Sequence, residues 1–322
     1  MLLVISCKLF SYEGMPELPE VETIVRDLNK TVLGRKIEDV WSDFENIVKR
    51  PSFQQLKKEI KGKNIQRVWR RGKNIIFDLS ANKALLIHQK LTGHLLLGKW
   101  RLQKGKWVSS IKGPLSDDPR NKFLHLIFWL DNGQQLALSD LRKFAKVELW
   151  DKEDLEQSKE FQSLGPDPLE KSFTFEKFKE CLTKKQKGKI KQVLMDQTVI
   201  AGIGNIYSDE ILWSAKIHPF RDVAKLSRSD INRIYQAMRE ILPKAIELGG
   251  ESISDFRRLS GQKGYFDKER KVYRREGEKC SRCQTTIKRV KLAGRSAHFC
   301  PKCQKAKRTS SVELKTRRKK KF

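Results

Sequence analysis

This 322-residue sequence lacks several features, and each absence excludes a class of protein. It has no run of about 18 consecutive apolar residues, so it predicts no membrane-spanning helix and no membrane partner. Its first 14 residues have neither the basic start nor the small-residue cleavage site of a secretory signal. It has no internal repeat, which excludes a solenoid. We therefore expect a globular protein in the cytoplasm.

Acidic residues are scarce relative to basic ones, at 39 Asp and Glu against 68 Lys and Arg, which gives a net charge of +29. Residues 305–322 contain nine Lys or Arg and one Glu, so this tail supplies only +8 of the total. The rest of the excess is spread through the chain. Such a charge favours a polyanionic partner, because each neutralised phosphate releases condensed counterions. The composition predicts binding to nucleic acid.

The six cysteines are not distributed as in a disulfide framework. Four of them form two C-x2-C pairs with 16 residues between the pairs: Cys280, Cys283, Cys300 and Cys303. Two thiolate pairs at this spacing can close a tetrahedral Zn²⁺ site on a small hairpin. All four positions of that ion would be filled by protein, so we predict one structural zinc that stabilises a segment too short to build its own core. The alternative is unligated or disulfide-bonded cysteines.

The Gly-x-Gly sequence at Gly202 and Gly204 does not match the dinucleotide-binding fingerprint, because the third glycine is replaced by Tyr207 and no strand precedes it. The flanking apolar residues instead predict two helices joined by a turn, with Asn205 as the cap of the second helix. The N–H groups at such a helix start can bind phosphate.

The apolar pattern divides the chain into regions. A short amphipathic helix after Met15 is followed by alternating strands up to about residue 151, and Gly165-Pro166-Asp167-Pro168 then marks a boundary. We predict an α+β protein with an N-terminal β-sandwich domain led by a helix (15–151), a helical domain (165–260), a zinc-finger hairpin (270–304) and a disordered basic tail (305–322).

The segment Met15-Pro16-Glu17-Leu18-Pro19-Glu20 offers a possible catalyst. If the chain began at Met15 and lost that methionine, Pro16 would carry a free secondary amine, with a pKa of about 7.7–8.0 against about 10.4 for lysine. With residues 1–14 attached, the same nitrogen is an amide and is not nucleophilic. We therefore expect that residues 1–14 are a leader that the active protein does not carry.

Five motifs together resemble the formamidopyrimidine-DNA glycosylase and endonuclease VIII family of base-excision repair enzymes, over residues 16–304. Leu18 is typical of the oxidised-purine branch of that family. The motifs are Pro16-Glu17-Leu18-Pro19-Glu20-Val21-Glu22-Thr23, Arg70-Arg71-Gly72-Lys73, Gly204-Asn205-Ile206-Tyr207, Gly264-Tyr265-Phe266 and Gly294-Arg295.

The resemblance implies a reaction and residues for it. Pro16 is the nucleophile that forms a Schiff base with the sugar, and Glu17 is the acid and base that assists departure of the damaged base. Lys73 is the proton donor of β-elimination, and Arg295 is linked to δ-elimination and to the flanking phosphate. The substrate is double-stranded damaged DNA containing 8-oxoguanine or formamidopyrimidines, the enzyme is a monomer, and the helical domain is a helix-two-turns-helix module.

The resemblance also implies DNA contacts. Asn205 contacts a phosphate, and Lys191 is a weaker candidate for that role. Base extrusion leaves a gap in the duplex, which matched family positions fill. These positions are Leu91, Arg142 and Phe144.

The sequence departs from the family pattern at several of these contacts. Leu91 replaces a methionine, Leu141 replaces a proline, and Phe123 replaces a DNA-contacting histidine, so that His125 is the remaining candidate. The lysine of the base-recognition loop matches Lys263 only loosely. The alternative function is a non-catalytic zinc-finger DNA-binding homologue, and a zinc-ribbon RNA or ribosome partner is a third possibility.

Overall fold

A computed structural model describes residues 15–252, 256–292 and 294–306. The predicted leader and nearly all of the predicted tail lie outside this range. The helices are α1 Leu18–Thr31, α2 Phe53–Ile60, α3 Pro114–Asp117, α4 Lys152–Gln157, α5 Lys159–Gln162, α6 Phe175–Thr183, α7 Ile190–Met195, α8 Asn205–Ser214 and α9 Arg228–Glu247. The strands are β1 Ile37–Ser42, β2 Val48–Arg50, β3 Ile65–Arg71, β4 Asn74–Leu79, β5 Lys83–His88, β6 Gly93–Gly98, β7 Trp100–Gln103, β8 Lys106–Ser109, β9 Leu124–Leu130, β10 Gln135–Asp140, β11 Lys146–Asp151, β12 Lys288–Leu292 and β13 Arg295–Phe299.

Two sheets form the N-terminal sandwich. One has the strand order β1-β9-β10-β6 and is antiparallel throughout, and the other has the order β2-β11-β5-β4-β3, in which only β2 and β11 run parallel. Alternate residues of both sheets enter one apolar core, for example Phe77 and Ile87 from one sheet and Phe128 and Leu138 from the other. The alternating pattern of the sequence therefore predicted the correct layers, because successive strand side chains point to opposite faces.

Helix α1 joins the sandwich to the helical half of the protein. Glu17 and Glu20 form a capping box at its start, and Pro19 lies in its first turn, where the missing N–H has no cost. Its buried residues Val21, Ile24 and Leu28 pack into the sandwich core, and the helix also contacts α9. The N-terminal segment is thereby held between the two halves of the molecule.

The helical half has a separate core, built from α6 to α9. Helix α9 begins with a capping box of Ser227 and Asp230 and ends before Gly249 and Gly250, which have φ angles of 76° and 82°. The cysteine pairs flank the antiparallel hairpin of β12 and β13. In the described residues, no helix is long and apolar enough to cross a membrane.

The two helices predicted around Gly202 are present as α7 and α8, but one detail of that prediction was wrong. Gly204 occupies the N-cap position and Asn205 is already the first helical residue, so the Asn205 side chain does not cap α8. The side chain that accepts hydrogen bonds from the first N–H groups comes instead from Glu17, at the other end of the sequence.

Candidate active site

The N-terminal segment is fixed against the turn that precedes α8. The Leu18 N–H donates to the Gly202 carbonyl at 3.0 Å. The Glu17 carboxylate accepts hydrogen bonds from the N–H groups of Gly204 at 2.7 Å, Ile206 at 2.9 Å and Tyr207 at 3.4 Å. These donors would otherwise be unpaired, because the first N–H groups of a helix have no intrahelical partner. Pro16 is buried immediately before Glu17.

A cationic group of the site, the Lys73 ammonium, comes from the sandwich. Gly72 and Lys73 form the two-residue turn between β3 and β4, and Gly72 supplies the positive φ of 58° that this turn uses. Lys73 is only 9% exposed. A methyl group added at Gly204 would collide with the Glu17 carboxylate and lie 2.8 Å from Lys73 Nζ, so both charged groups meet at one point above the Gly204 backbone.

Burial and neighbouring charges shift the pKa values of both groups. Burial raises the pKa of the Glu17 carboxyl, against the opposing effects of Lys73 and the three N–H donors. Burial also lowers the pKa of the Lys73 ammonium; Glu17 and Glu20 oppose this shift, and the positive charge of Arg295 adds to it. Both shifts move a pKa towards neutral pH, where a carboxyl and an amine exchange protons most effectively.

The β3–β4 hairpin is locked to the start of the helical half, which fixes Lys73. Arg70 donates to Asp167 at 2.5 and 3.1 Å and to Glu22 at 2.8 Å. Arg71 donates to the carbonyls of Leu164 and Gly165 at 2.6 and 2.7 Å. The two arginines of the motif therefore have a structural role, and Lys73, which follows Gly72, is the reactive candidate.

Two further titratable residues of the site were not assigned from the sequence. Glu20 is buried next to Glu17, and burial followed by the charge of Glu17 raises its pKa to about 8. It accepts hydrogen bonds from the Tyr207 hydroxyl and the Glu251 N–H.

His88 pairs with Asn74 across the sheet, next to Lys73, and burial lowers its pKa to about 3, so it is neutral at pH 7. The register of β4 against β5, which pairs Asn74 with His88, was the signal that could have placed His88 near Lys73.

Arg295 begins β13 and is exposed. It lines a cavity of about 200 Å³ together with Gln192 and Met195 of α7, and its positive charge contributes to the lowered pKa of Lys73. Buried contacts hold the finger in place: Asp209 of α8 accepts from the His298 backbone N–H and contacts its Nδ1, both at 2.9 Å. Glu210 accepts three N–H groups from residues 271–273.

The four finger cysteines fit a metal ion. Their sulfur atoms all lie within 4.8 Å of one another, with separations of 3.9 Å for Cys280–Cys303 and 3.4 Å for Cys283–Cys300. A tetrahedron with Zn–S distances of about 2.3 Å requires sulfur separations of about 3.8 Å. The predicted structural zinc site is confirmed, and all four protein ligands leave no position for a substrate.

The predicted gap-filling residues lie on two neighbouring loops. Leu91 follows β5 and is partly exposed, while Phe144, 48% exposed, lies between β10 and β11. The Arg142 guanidinium stands 4.6 Å above the Phe144 ring. Asp140 orders the loop, because its carboxylate accepts from the Thr92 hydroxyl and, at 2.7 Å, from the Ala145 N–H. These hydrogen bonds hold the turn that has Leu141 where the family has proline.

Two of the predicted DNA contacts, Lys191 and His125, are buried and paired with carboxylates in this structure. Lys191 is 1% exposed, and its ammonium is paired with Asp209 at 2.5 Å beneath the start of α8. His125 is buried on β9, and its Nδ1 lies 2.8 Å from Asp43. Both partners come from segments that are distant in sequence, and the two DNA contacts stay predictions. Asn205 is buried at the start of α8, close to the Tyr273 hydroxyl.

Comparisons with known proteins agree with this geometry. Residues 15–147 match the formamidopyrimidine-DNA glycosylase N-terminal domain, residues 164–257 match the H2TH domain of the same family, and residues 277–306 match a zinc finger found in FPG and IleRS. The chain belongs to the formamidopyrimidine-DNA glycosylase family. The sequence-based predictions of the family, the α+β fold and a DNA glycosylase with abasic-site lyase activity are confirmed.

Individual family members are similar over almost their whole length. The formamidopyrimidine-DNA glycosylase of Lactococcus lactis subsp. cremoris is 41% identical over 90% of this chain and 99% of its own. That of Pelotomaculum thermopropionicum is 38% identical over 91% of this chain and 100% of its own. Crystal structures of the Lactococcus lactis enzyme with abasic-site DNA and with Fapy-dG DNA superpose with a TM-score of 0.77, at 40% identity, over 90% of this chain and 100% of theirs.

Proposed function

We propose that this family member excises oxidised purines, 8-oxoguanine and formamidopyrimidines, from duplex DNA and then cleaves the abasic strand through a covalent intermediate on Pro16. The observation that carries the proposal is the buried cluster of Pro16, Glu17 and Lys73 at the start of α8. A protein that only binds DNA has no need for a buried acid and a buried lysine beside a proline, because each buried charge has a desolvation cost.

The proposed chemistry uses the groups as they are placed. The Pro16 nitrogen attacks C1′ of the damaged nucleotide while the bond from C1′ to the base breaks, and Glu17 delivers and accepts the protons of sugar-ring opening and base departure. The resulting iminium stays cationic without protonation and draws electrons from C2′. Transfer of a C2′ proton to water then breaks the C3′–O bond and expels the 3′ phosphate, and transfer of a C4′ proton to water breaks the C5′–O bond and expels the 5′ phosphate. Lys73 donates the proton of the β-elimination, and Arg295 binds a flanking phosphate.

This chemistry requires that nothing is attached to the Pro16 nitrogen. The match to the N-terminal domain of the family begins at residue 15, which supports a working form that starts at Pro16 after removal of Met15. We propose that this form carries the activity, since acylation of the nitrogen removes its lone pair from nucleophilic attack.

Borohydride trapping tests the proposal. We compare protein that starts at Pro16 with the full 322-residue chain on duplex DNA that contains 8-oxoguanine opposite cytosine. We expect a stable covalent adduct only with the first form, and peptide mass spectrometry should locate the DNA on Pro16. An adduct of equal yield with both forms, or one located on a lysine, would contradict the assignment of the nucleophile.

Arg142 is proposed to read the base opposite the lesion. The Arg142→Ala variant should lose about 1–3 kcal/mol of discrimination between cytosine and adenine, the usual value of a good arginine contact to a base. The measurement is kcat/KM for 8-oxoguanine opposite each base. Lys143→Ala is the matched control, since its ammonium lies 4.9 Å from the Phe44 ring and should affect only overall affinity. Equal effects of the two variants would exclude base reading.

We also propose that the enzyme works in the cytoplasm, because the finger needs four reduced thiolates and the substrate is chromosomal DNA. Fractionation that recovers the protein outside the cytoplasm would contradict this. The second function, DNA binding without catalysis, would be favoured if the form starting at Pro16 bound abasic DNA tightly and gave no adduct.

A further inference from the structure

Residues 256–264 form a strap that belongs to the helical half by sequence but is built into the sandwich. Phe256 and Leu259 are part of the sandwich core. The Leu259 carbonyl accepts the Leu97 N–H at 2.9 Å, so the strap pairs with β6, which is an edge strand of its sheet. The strap therefore covers an edge that would otherwise offer unpaired backbone groups.

A buried ion pair fixes the strap to the sandwich loop, residues 113–122. Arg257 is 0% exposed, and its Nε donates to the Asp118 carboxylate at 2.6 Å. Its Nη1 donates to the Phe256 carbonyl at 2.6 Å. Burying an arginine this completely is costly unless its partner is in place, so the position of the strap depends on Asp118.

A second contact lies four residues further along the strap. The Asn121 side chain donates to the carbonyls of Pro114 at 2.8 Å and Gly261 at 3.2 Å, and its oxygen lies 3.0 Å from His94 Nε2. Gly261 has a φ of 80°, and a methyl group there would lie 2.8 Å from the Asn121 amide. Only glycine fits this approach without displacing the loop.

The far end of the strap reaches the catalytic cluster. The Gly264 N–H donates to the Ser252 hydroxyl at 2.8 Å, and Gly264 packs against the backbone of Gly249 and Gly250. A methyl group on Gly250 would lie 2.9 Å from Glu20 Oε1, which is the carboxyl next to Glu17. The strap thus connects the backbone beside Glu20 to the sandwich loop.

The elements that hold the sugar chemistry are separate from the strap. Glu17 is held by the start of α8, and Lys73 is held by the β3–β4 turn. The strap instead exposes the polar side chains of Gln262 and Lys263, directly before Gly264, which packs against the backbone beside Glu20. An extruded purine needs hydrogen-bond partners beyond those that its sugar uses, and a nucleotide without a base does not.

We propose that the Arg257–Asp118 pair and the Asn121–Gly261 contact act as a positioning clamp that base excision requires and cleavage of a preformed abasic site does not. The proposal rests on the proposed function. The clamp residues do not touch the reacting atoms; they fix the strap whose exposed side chains bind the damaged base. A displacement of about 1 Å at such a surface is enough for a rate loss of up to about a hundredfold.

The test separates the two reactions in the same protein. In the form that starts at Pro16, the double variant Arg257→Gln with Asp118→Asn removes both charges of the pair together. We expect kcat for release of 8-oxoguanine to fall by about tenfold to a hundredfold, while cleavage of preformed abasic DNA stays within about twofold. Rates are normalised to active sites by borohydride titration with abasic DNA, so that a smaller folded fraction does not imitate the effect.

Three further variants sharpen the result. Gly261→Ala disturbs the second contact without changing any charge and should show the same separation of rates. Asp118→Glu in a protein that keeps Arg257 should retain more excision than the double variant. The exposed pair Arg228–Glu176 is the matched control, and its double glutamine variant should change neither rate. A parallel loss of both reactions, or no loss of either, would overturn the clamp. Failure of the unsubstituted form to cleave abasic DNA would instead count against the proposed function.

Discussion

Glu17→Gln is expected to lower the rate of base excision by about 10²–10⁴-fold, the range for loss of a positioned acid or base. The glutamine keeps the volume of the side chain but cannot exchange the proton, and its amide group cannot accept from all three N–H donors at the start of α8. Cleavage of preformed abasic DNA should be less affected, because no base has to leave. Single-turnover rates on 8-oxoguanine DNA and abasic DNA measure the two steps.

Glu210→Gln is the matched control for this variant. Glu210 is also buried, burial also raises its pKa, and it also accepts three backbone N–H groups, but from the segment that leads to the finger. We expect Glu210→Gln to lower thermal stability without a selective loss of excision per active site. If the two variants lose excision equally, the role of Glu17 is structural.

Loss of the zinc should have the second largest effect. Structural zinc in finger peptides contributes an apparent binding free energy of about 10–16 kcal/mol, and that energy is used to fold the segment. In Cys300→Ser we expect no bound zinc, an unfolded finger and loss of excision, because Arg295 is then no longer held opposite Lys73. The slope of the logarithm of DNA affinity against the logarithm of salt concentration should also become shallower by about 0.9 for each phosphate contact that the finger made.

Cys181→Ser provides the control, since Cys181 is a buried free cysteine of α6 outside the metal cluster. It should retain one zinc per chain by elemental analysis, together with the salt dependence of the unsubstituted protein. Limited proteolysis reports on the finger directly. A zinc-free Cys300→Ser protein that still excised 8-oxoguanine would show that the finger is not needed to position Arg295.

Local patterns determined much of the fold and the zinc site before the structure was known. Alternating apolar residues predicted the strands of the sandwich, and the two C-x2-C pairs predicted the metal ligands. These predictions succeed because each depends on residues that are close in sequence, where spacing fixes which side chains share a face or a ligand position.

Side-chain partners across the chain could not be read in the same way. Lys191 and His125 are candidate DNA contacts from the family resemblance, and their partners Asp209 and Asp43 inside the protein were not predicted. A buried pair depends on the position of both partners, and one of them is remote in sequence. The cap of α8 was misassigned to Asn205 for the same reason, since the carboxylate that binds those N–H groups belongs to Glu17.

By itself the sequence determined the candidates Pro16, Glu17, Lys73 and Arg295, because their motifs are local. Only the tertiary structure brought Glu17 and Lys73 to one point above Gly204 and connected the strap to the sandwich through Arg257 and Asp118. The physical reason is that burial and pairing decide the charge state and orientation of an ionisable side chain, and both are properties of segments that meet only after folding.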